Sequence, residues 1–157
     1  KESLFNIIGD ISPDSIVLDL YAGTGSVGIE FLSRGAKQCY FVDSSQVSIN
    51  TIKENLIKTK LNEQATVIKN NVLNVINKLQ LNNVEFDYIF MDPPYKKRLE
   101  VDTLEKIYES NILRENGTII VEHDTKTELD EKILGLELVD YRKYGRTSIS
   151  FYRIGDV

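Results

Sequence analysis

The sequence contains very little cysteine and histidine, and each shortage excludes a class of protein. Its single cysteine, Cys39, rules out an intrachain disulfide and fits a reducing compartment. Its single histidine, His123, and the lack of clustered cysteines leave no set of ligands for a metal ion, so we predict no metal site. Because no apolar run is long enough to cross a membrane and no signal segment opens the chain, we expect a cytoplasmic protein without a membrane partner.

Length and overall charge also limit what the protein can be. The 157 residues, of which 41% are hydrophobic, suit one compact domain, which we expect to span residues 1–157 and to be monomeric. The net charge of −5 excludes a protein that binds nucleic acid through a generally basic surface. Any contact with nucleic acid must therefore come from local patches.

The segment Ile16–Glu30 has the pattern of a strand, a glycine loop and a helix. Gly23, Gly25 and Gly28 are spaced as G-x-G-x-x-G, and glycine permits the positive φ angles and close backbone approach of a ligand-binding turn. Asp43 ends a second apolar run twenty residues after Gly23, where a carboxylate can accept hydrogen bonds from ribose hydroxyls. Because a lone glycine motif also occurs in ordinary turns, the prediction of an adenosine-type ligand depends on the strand, the helix and the acid around it.

Asp19 narrows the choice of ligand. It lies near the end of the first predicted strand, just before the glycine loop, where a carboxylate would repel a pyrophosphate. S-adenosylmethionine carries an ammonium and a sulfonium instead of phosphates. Asp19 can therefore hold the loop by accepting backbone N–H bonds and still favour a positively charged ligand nearby.

Strands and helices alternate along most of the chain, which predicts an α/β fold with a Rossmann-like, doubly wound, mainly parallel sheet. We expect helices from about residue 47 to 60 and from about residue 126 to 134, and a turn at Asn116 and Gly117. A final hairpin joined at Gly145 and Arg146 would add an antiparallel C-terminal strand. The predicted strands lie at residues 16–20, 39–43, 65–69, 86–92, 118–123, 136–144 and 147–153.

The tetrapeptide Asp92, Pro93, Pro94 and Tyr95 ends the fourth predicted strand, at the edge where open α/β sheets bind ligands. The two prolines stiffen the turn and remove two N–H donors, so the turn presents acceptors from the Asp92 carboxylate and the Pro93 carbonyl. An exocyclic NH2 group of a nucleobase fits between two acceptors, and Tyr95 can stack on the base. A rigid Asp-Pro turn without a ligand is the alternative reading of this tetrapeptide.

With these motifs, the chain resembles the class I S-adenosylmethionine-dependent methyltransferases that act on exocyclic amines, and among them the D-type family of bacterial 16S ribosomal RNA guanine-N2 methyltransferases. The resemblance is carried by LDLYAGTGSVGIEFLSRGA, the FVD strand end, MDPPY and the terminal KYGRTSISFY. It extends over essentially the whole chain. It implies a seven-stranded sheet, S-adenosylmethionine as cofactor, and a guanine 2-amino group in 16S rRNA or in the small ribosomal subunit particle as the target.

The same resemblance implies a role for each motif. Asp19, Gly23 and Gly25 would line the methionine part of the cofactor, and Asp43 would hold its ribose. Residues 92–95 would hold the target guanine and form the catalytic turn. The remaining residues of the implied cofactor site are Tyr21, Ser44, Asn71 and Val72.

Two features depart from the family's pattern. Asn71 stands where the family has an aspartate facing the adenine amino group, but its carbonyl oxygen can accept the same hydrogen bond. Val72 would then offer its backbone N–H to the adenine ring. The basic segment that the family carries before the first helix is absent from this sequence.

Two stretches carry local positive charge. Lys96, Lys97 and Arg98 follow the proposed catalytic turn, and phosphate contact competes there with a simple solvated loop. Residues 141–153 contain four basic residues, four aromatic residues and no acid, which suits either RNA contact or a solvated edge hairpin. His123 ends the fifth predicted strand, but the sequence assigns it no active role.

Two other functions remain open from the residues. An adenine-N6 DNA methyltransferase would use the same turn, because adenine N6 is also an exocyclic amine. Sequence-specific DNA reading usually needs more surface than one small catalytic domain offers, so RNA is favoured. A non-catalytic cofactor-binding RNA module is the third reading, and the intact turn from Asp92 to Tyr95 argues against it.

Overall fold

The structure, a computed structural model, is built around one sheet of eight strands and describes residues 2–96 and 98–156. The strands are β1 Ile16–Leu20, β2 Gln38–Asp43, β3 Ala65–Lys69, β4 Phe86–Met91, β5 Leu113–Asp124, β6 Lys132–Ile133, β7 Leu136–Tyr144 and β8 Thr147–Ile154. The helices are α1 Glu2–Ile8, α2 Ser26–Ser33, α3 Gln46–Thr59, α4 Val72–Leu81 and α5 Leu99–Glu109. Among the helices described, none is long and apolar enough to cross a membrane.

The order of the strands explains where a ligand can bind. Across the sheet the order is β3-β2-β1-β4-β5-β8-β7-β6, and the first five of these strands are parallel. The chain order runs outward in one direction from β1 and in the other direction from β4. Connections that leave in opposite directions open a crevice at the carboxyl ends of β1 and β4, which is the usual ligand site of such sheets.

Each face of the sheet carries its own buried core. On one face, Leu20, Ile89 and Met91 pack with Ile76 of α4 and Leu104 of α5. On the other face, Phe5 of α1, Phe31 of α2 and Ile52 of α3 pack in one cluster with strand residues, namely Val17, Phe41, Phe90 and Ile120. Helices therefore cover both faces of the parallel part, which confirms the predicted doubly wound α/β fold.

The predicted helix from about residue 126 to 134 is wrong, and its place is taken by the short strand β6. The backbone in this segment bonds to the sheet edge: the Glu131 carbonyl accepts from Leu138 N–H at 2.8 Å, and the Asp130 carbonyl accepts from the Tyr152 hydroxyl at 2.7 Å. Ile133 is buried and pairs with Leu136. These bonds satisfy backbone groups of the segment without a helix. With β6 added, the sheet has eight strands where seven were predicted.

The predicted turn at Asn116 and Gly117 is also wrong, because both residues lie inside β5. The pairing of β4 with β5 is irregular at this point, where the register shifts between Phe86 and Tyr88. Gly117 is buried there, and a Cβ would lie 3.0 Å from the Phe86 carbonyl oxygen. The glycine thus permits a close backbone approach within a strand rather than a reversal of the chain.

Gly28, the third glycine of the motif, permits close packing of α2 on β2. A Cβ at this position would collide with the Phe41 ring and would lie 2.8 Å from Cys39 Sγ. All three residues are buried, so the neighbours have little room to move. Gly28 thus acts through helix–sheet packing, unlike the two earlier glycines of the loop.

We expect Gly28→Ala to lower the free energy of unfolding by about 1 to 3 kcal/mol, because overpacking a closed contact outweighs the higher helix propensity of alanine. Chemical denaturation would measure the change. Ser33→Ala, at an exposed position of the same helix, is the control and should have little effect. Equal stabilities for Gly28→Ala and wild type would contradict the packing role.

Candidate active site

Three cavities meet at Asp92, at the carboxyl ends of the central strands. The first, the loop cavity, has a volume of about 500 Å³ and is lined by residues that include Asp19, Tyr21, Gly23, Asp92 and Glu122. The second, the Asp43 cavity, has a volume of about 510 Å³ and includes Tyr21, Asp43, Ser44, Asn71, Val72, Asp92, Pro93 and Pro94. The third, the hairpin cavity, measures about 250 Å³ and includes Asp92, Pro93, Tyr95, Glu100, Glu122 and Arg146. The sequence motifs are therefore brought together around one carboxylate.

The glycine loop between β1 and α2 has three residues with positive φ. Gly23 has φ 60° and Gly25 has φ 79°, so both need the freedom that glycine gives. Tyr21 also has a positive φ of 58°, which is uncommon for a residue with a large side chain. Its hydroxyl lies 2.8 Å from Thr103 Oγ1, a contact that anchors it to α5. Tyr21 lines both large cavities, so this constrained residue lies between them.

Asp43 fastens two backbone segments around the Asp43 cavity. One carboxylate oxygen accepts the Gly23 N–H at 2.9 Å, and the other accepts the Ser45 N–H at 2.9 Å. Each oxygen of a carboxylate has a second lone pair, so Asp43 can still accept hydrogen bonds from a ligand. Ser44 lines the same cavity, while Ser45 is the residue that caps α3.

Asp19 is a buried carboxylate, with 1% of its surface exposed. It accepts the Gly28 N–H at 3.1 Å, which ties the first strand to the following helix. Burial raises the pKa of Asp19 well above its ordinary value, and the bond from Gly28 opposes that rise. A positive charge in the loop cavity would favour the ionised carboxylate.

Asn71 and Val72 lie at the start of α4, on the wall of the Asp43 cavity. The side-chain oxygen Oδ1 of Asn71 accepts from the backbone N–H of Leu73 at 2.9 Å and of Asn74 at 3.4 Å, which makes Asn71 the cap of the helix. A hydrogen bond from an adenine amino group would share that oxygen with the cap. Val72 is the first helical residue, where backbone N–H groups have no partner inside the helix.

The turn from Asp92 to Tyr95 projects from the end of β4. Asp92 and Pro93 border both the Asp43 cavity and the hairpin cavity, and Pro94 borders the former. Tyr95 is 90% exposed on the rim of the hairpin cavity. A ring so exposed is free to cover a flat ligand there, and a stacked base is the ligand that the sequence predicts.

Asp92 and Glu122 form a pair of carboxyl groups within hydrogen-bonding reach of each other. Asp92 remains open to the cavities, but partial burial, the hydrogen bond with Glu122 and the repulsion from that group raise its pKa to about 7.

Sequence reasoning missed Glu122, and it placed Tyr144 and Arg146 in a possible RNA contact but not in the walls of these cavities. It singled out the neighbouring His123 instead of Glu122. The available signal was position, because Glu122 lies near the carboxyl end of the strand that pairs with β4. Tyr144 and Arg146 flank the tip of the β7–β8 hairpin, and only the folded sheet shows that this tip reaches the site.

The two basic stretches have different surroundings. Arg98 lies 4.0 Å from Asp102 and 3.9 Å from Glu105, so nearby carboxylates already attract it. Lys96 is exposed and lines the Asp43 cavity, and Lys97 lies outside the described residues. In the hairpin, Arg142 pairs with Asp140 at 3.1 Å, whereas the exposed Arg146 borders the hairpin cavity. Contact with RNA phosphates stays a prediction for these residues.

His123 is a buried residue whose ring is fixed at both nitrogens. Its Nε2 lies 2.8 Å from Ser150 Oγ, and its Nδ1 lies 3.0 Å from the Asp124 carbonyl oxygen. This arrangement suits a structural histidine that joins β5 to β8. Over the ranges 2–96 and 98–156, no group of three or more His, Cys, Asp or Glu side chains is placed to hold a metal ion.

Comparison with known proteins identifies a family and close relatives. Residues 1–153 match the family described as "Conserved hypothetical protein 95". The Bacillus subtilis "Putative rRNA methyltransferase YlbH" is 39% identical over 153 residues, which cover 98% of this chain and 83% of that protein. The Haemophilus influenzae "Ribosomal RNA small subunit methyltransferase D" is 36% identical over 155 residues, which cover 98% of this chain and 78% of that protein. The crystal structure of "putative methylase HI0767" from Haemophilus influenzae has a TM-score of 0.85 and 32% identity, and the match covers 99% of this chain and 96% of that one.

The raised pKa of Asp92 predicts how this residue affects stability. The folded protein holds a proton up to about pH 7, whereas an unfolded aspartate loses it near its ordinary value of 3.8. The stability contribution of Asp92 therefore falls as the pH rises between these values and stays low above pH 7. We expect Asp92→Asn to raise the melting temperature more at pH 8 than at pH 5.

Thermal denaturation of both proteins at the two pH values would measure this difference. Asp14→Asn, at an exposed carboxylate far from the cavities in sequence, is the matched control. A gain in melting temperature that is no larger at pH 8 than at pH 5 would show that Asp92 carries no such penalty.

Proposed function

Because the chain belongs to the family described as Conserved hypothetical protein 95, we propose that it is an S-adenosylmethionine-dependent methyltransferase acting on the exocyclic N2 amine of a guanine in 16S rRNA of the small ribosomal subunit. The resemblance drawn from the motifs, and the class I methyltransferase fold that it implied, are confirmed. The observation that carries the proposal is the convergence of three cavities on Asp92. A methyl donor and an amine must meet at one point, and this arrangement supplies one.

The residues of the two larger cavities fit the cofactor. When bound, S-adenosylmethionine supplies an electrophilic methyl group on a positively charged sulfur. Asp19 is a buried carboxylate on the wall of the loop cavity, and its ionised form favours a cation there. In the Asp43 cavity, Asp43 offers the remaining lone pairs of its carboxylate to ribose hydroxyls, with Ser44, Asn71 and Val72 nearby.

The turn at Asp92 suits an amine that is a poor nucleophile. The lone pair of a base amine is delocalised into the ring, and two acceptors that hold its N–H bonds can free that pair. Asp92 supplies a carboxylate and Pro93 a carbonyl, and the proline rings keep the turn stiff. As positive charge develops on the nitrogen, these acceptors stabilise it more than they stabilise the free amine.

Tyr95 completes the binding of the base in this proposal. A base that leaves its stack loses a few kcal/mol of stacking and pairing energy. Stacking on an aromatic side chain returns about 1 to 3 kcal/mol of that loss. Tyr95 is exposed beside Asp92 and offers such a face.

Methyl transfer from radiolabelled S-adenosylmethionine to small-subunit particles, followed by nucleoside analysis, tests the proposed function. We expect label in N2-methylguanosine. Label in N6-methyladenosine would favour the adenine-specific alternative, and no label at all in either RNA or DNA would favour a binding module without catalysis. Naked 16S rRNA tested in parallel would show whether the assembled particle is required.

Cofactor affinity should depend on Asp43. Asp43→Ala removes the acceptor for ribose and releases the Gly23 and Ser45 N–H groups, so we expect a loss of roughly 2 to 4 kcal/mol in binding. Titration calorimetry with S-adenosylmethionine measures it. Asp43→Asn keeps one acceptor oxygen and should lose less. An unchanged dissociation constant in Asp43→Ala would refute the assignment, and tight binding of NAD would refute the argument from Asp19.

Catalysis should depend on Asp92 through its contact with the attacking amine and not through cofactor binding. Asp92→Ala should lower the single-turnover rate by about a hundredfold or more, because it removes an acceptor that matters mainly in the transition state. Cofactor affinity should change little. Tyr95→Ala should weaken substrate binding by roughly 1 to 3 kcal/mol, while Tyr95→Phe keeps the ring and serves as its control. A rate for Asp92→Ala within about threefold of wild type would exclude this turn as the catalytic centre.

A further inference from the structure

Glu122 lies beside Asp92 at the carboxyl ends of neighbouring parallel strands. Met91 of β4 is in register with Val121 of β5, so the next residue of each strand, Asp92 and Glu122, occupies an equivalent position. Adjacent strands are about 4.8 Å apart, and residues in register point to the same face. The fold therefore fixes two carboxylates side by side at the edge of the site.

Both carboxylates face the space where the amine would enter. Glu122 lines the loop cavity and the hairpin cavity, and Asp92 lines these two and the Asp43 cavity as well. The two carboxyl groups are within hydrogen-bonding reach of each other. When both are ionised, two carboxylates at this spacing repel one another, and a ligand edge with two adjacent N–H donors relieves the repulsion.

We propose that Glu122 is the residue that selects guanine, by accepting the N1–H of the target base while Asp92 accepts its 2-amino group. This inference rests on the proposed function, because it places guanine in the hairpin cavity. In guanine, N1–H and the 2-amino group are neighbouring donors on the Watson–Crick edge, the edge that proteins read in a flipped base. Two adjacent carboxylates are the complement of two adjacent donors.

The same pair disfavours the other bases that carry an exocyclic amine. In adenine and in cytosine, the ring nitrogen next to the amine is an acceptor without a hydrogen. Placing that lone pair against Glu122 leaves two acceptors facing each other, which costs free energy beyond the missing bond. Asp92 alone can accept a hydrogen bond from the exocyclic amine of guanine, adenine or cytosine, so selection of one base requires a second group.

Three other charged side chains border the hairpin cavity, and they have different roles in this arrangement. Asp124 is exposed, and its carboxylate already accepts the Lys126 N–H at 2.7 Å. Glu100 is 7% exposed and belongs to α5, but it does not line the loop cavity together with Asp92 and Glu122. Arg146 is a donor only, which suits the O6 acceptor of guanine and not its N1–H. Among the residues that line the hairpin cavity, Glu122 is the acceptor paired with Asp92.

The test compares guanine with 2-aminopurine at the methylated position of the RNA in reconstituted small-subunit particles. 2-Aminopurine keeps the 2-amino group but has a bare acceptor at N1. Wild type should prefer guanine by about tenfold or more in kcat/KM, as expected for loss of a specific hydrogen bond in a site built for it. Glu122→Gln offers an amide that can either accept from N1–H or donate to bare N1. Its preference for guanine should fall by about tenfold.

The ratio of the two kcat/KM values does not depend on the fraction of correctly folded enzyme. Glu115→Gln makes the same change at an exposed position of the same strand and should keep the wild-type ratio. A preference in Glu122→Gln within about threefold of wild type overturns the inference while leaving the proposed function intact. Equal loss of activity on both bases, with normal melting temperature and cofactor affinity, overturns it too. If wild type fails to label guanine N2, the proposed function fails, and the inference fails with it.

Discussion

Repulsion among carboxylates at one edge of the sheet is the constraint on which the rest of the site depends. Parallel strands bring their carboxyl ends together, and here Asp19, Asp43, Asp92 and Glu122 lie on or just beyond four adjacent strands. Like charges at such spacing are unfavourable, and more so where water is excluded. Each carboxylate must therefore be compensated by the protein or by what the protein binds.

The protein compensates two of the four with backbone N–H groups. Asp19 accepts from Gly28, and Asp43 accepts from Gly23 and Ser45. The same bonds fix the path of the glycine loop, because their donors lie in the loop, in α2 and before α3. The same hydrogen bonds thus stabilise the two carboxylates and fix the loop, and the loop lines the cavities in which we place the cofactor.

Local patterns predicted the parts of the site that are local in the chain. The strand, the positive-φ glycines and Asp43 are encoded within about thirty residues, and the stiff turn at Asp92 is encoded within four. Glu122 could not be found this way, because its position depends on the register between β4 and β5. The expected helix before β7 failed for a similar reason, since its backbone groups bond to a sheet edge that the local sequence does not specify.

The charges of Asp92 and Glu122 are compensated differently from those of Asp19 and Asp43. Backbone N–H groups stabilise Asp19 and Asp43, whereas Asp92 and Glu122 are left for a ligand to stabilise. Partial burial and, after it, the neighbouring Glu122 carboxyl group raise the pKa of Asp92 to about 7. When both groups are ionised, the pair has no donor of its own and has most to gain from a ligand that brings donors. In the proposed reaction that ligand is the donor edge of guanine, so the interaction that selects the base also prepares its amine for methylation. Recognition and activation would then use one source of free energy, the relief of repulsion between two adjacent carboxylates.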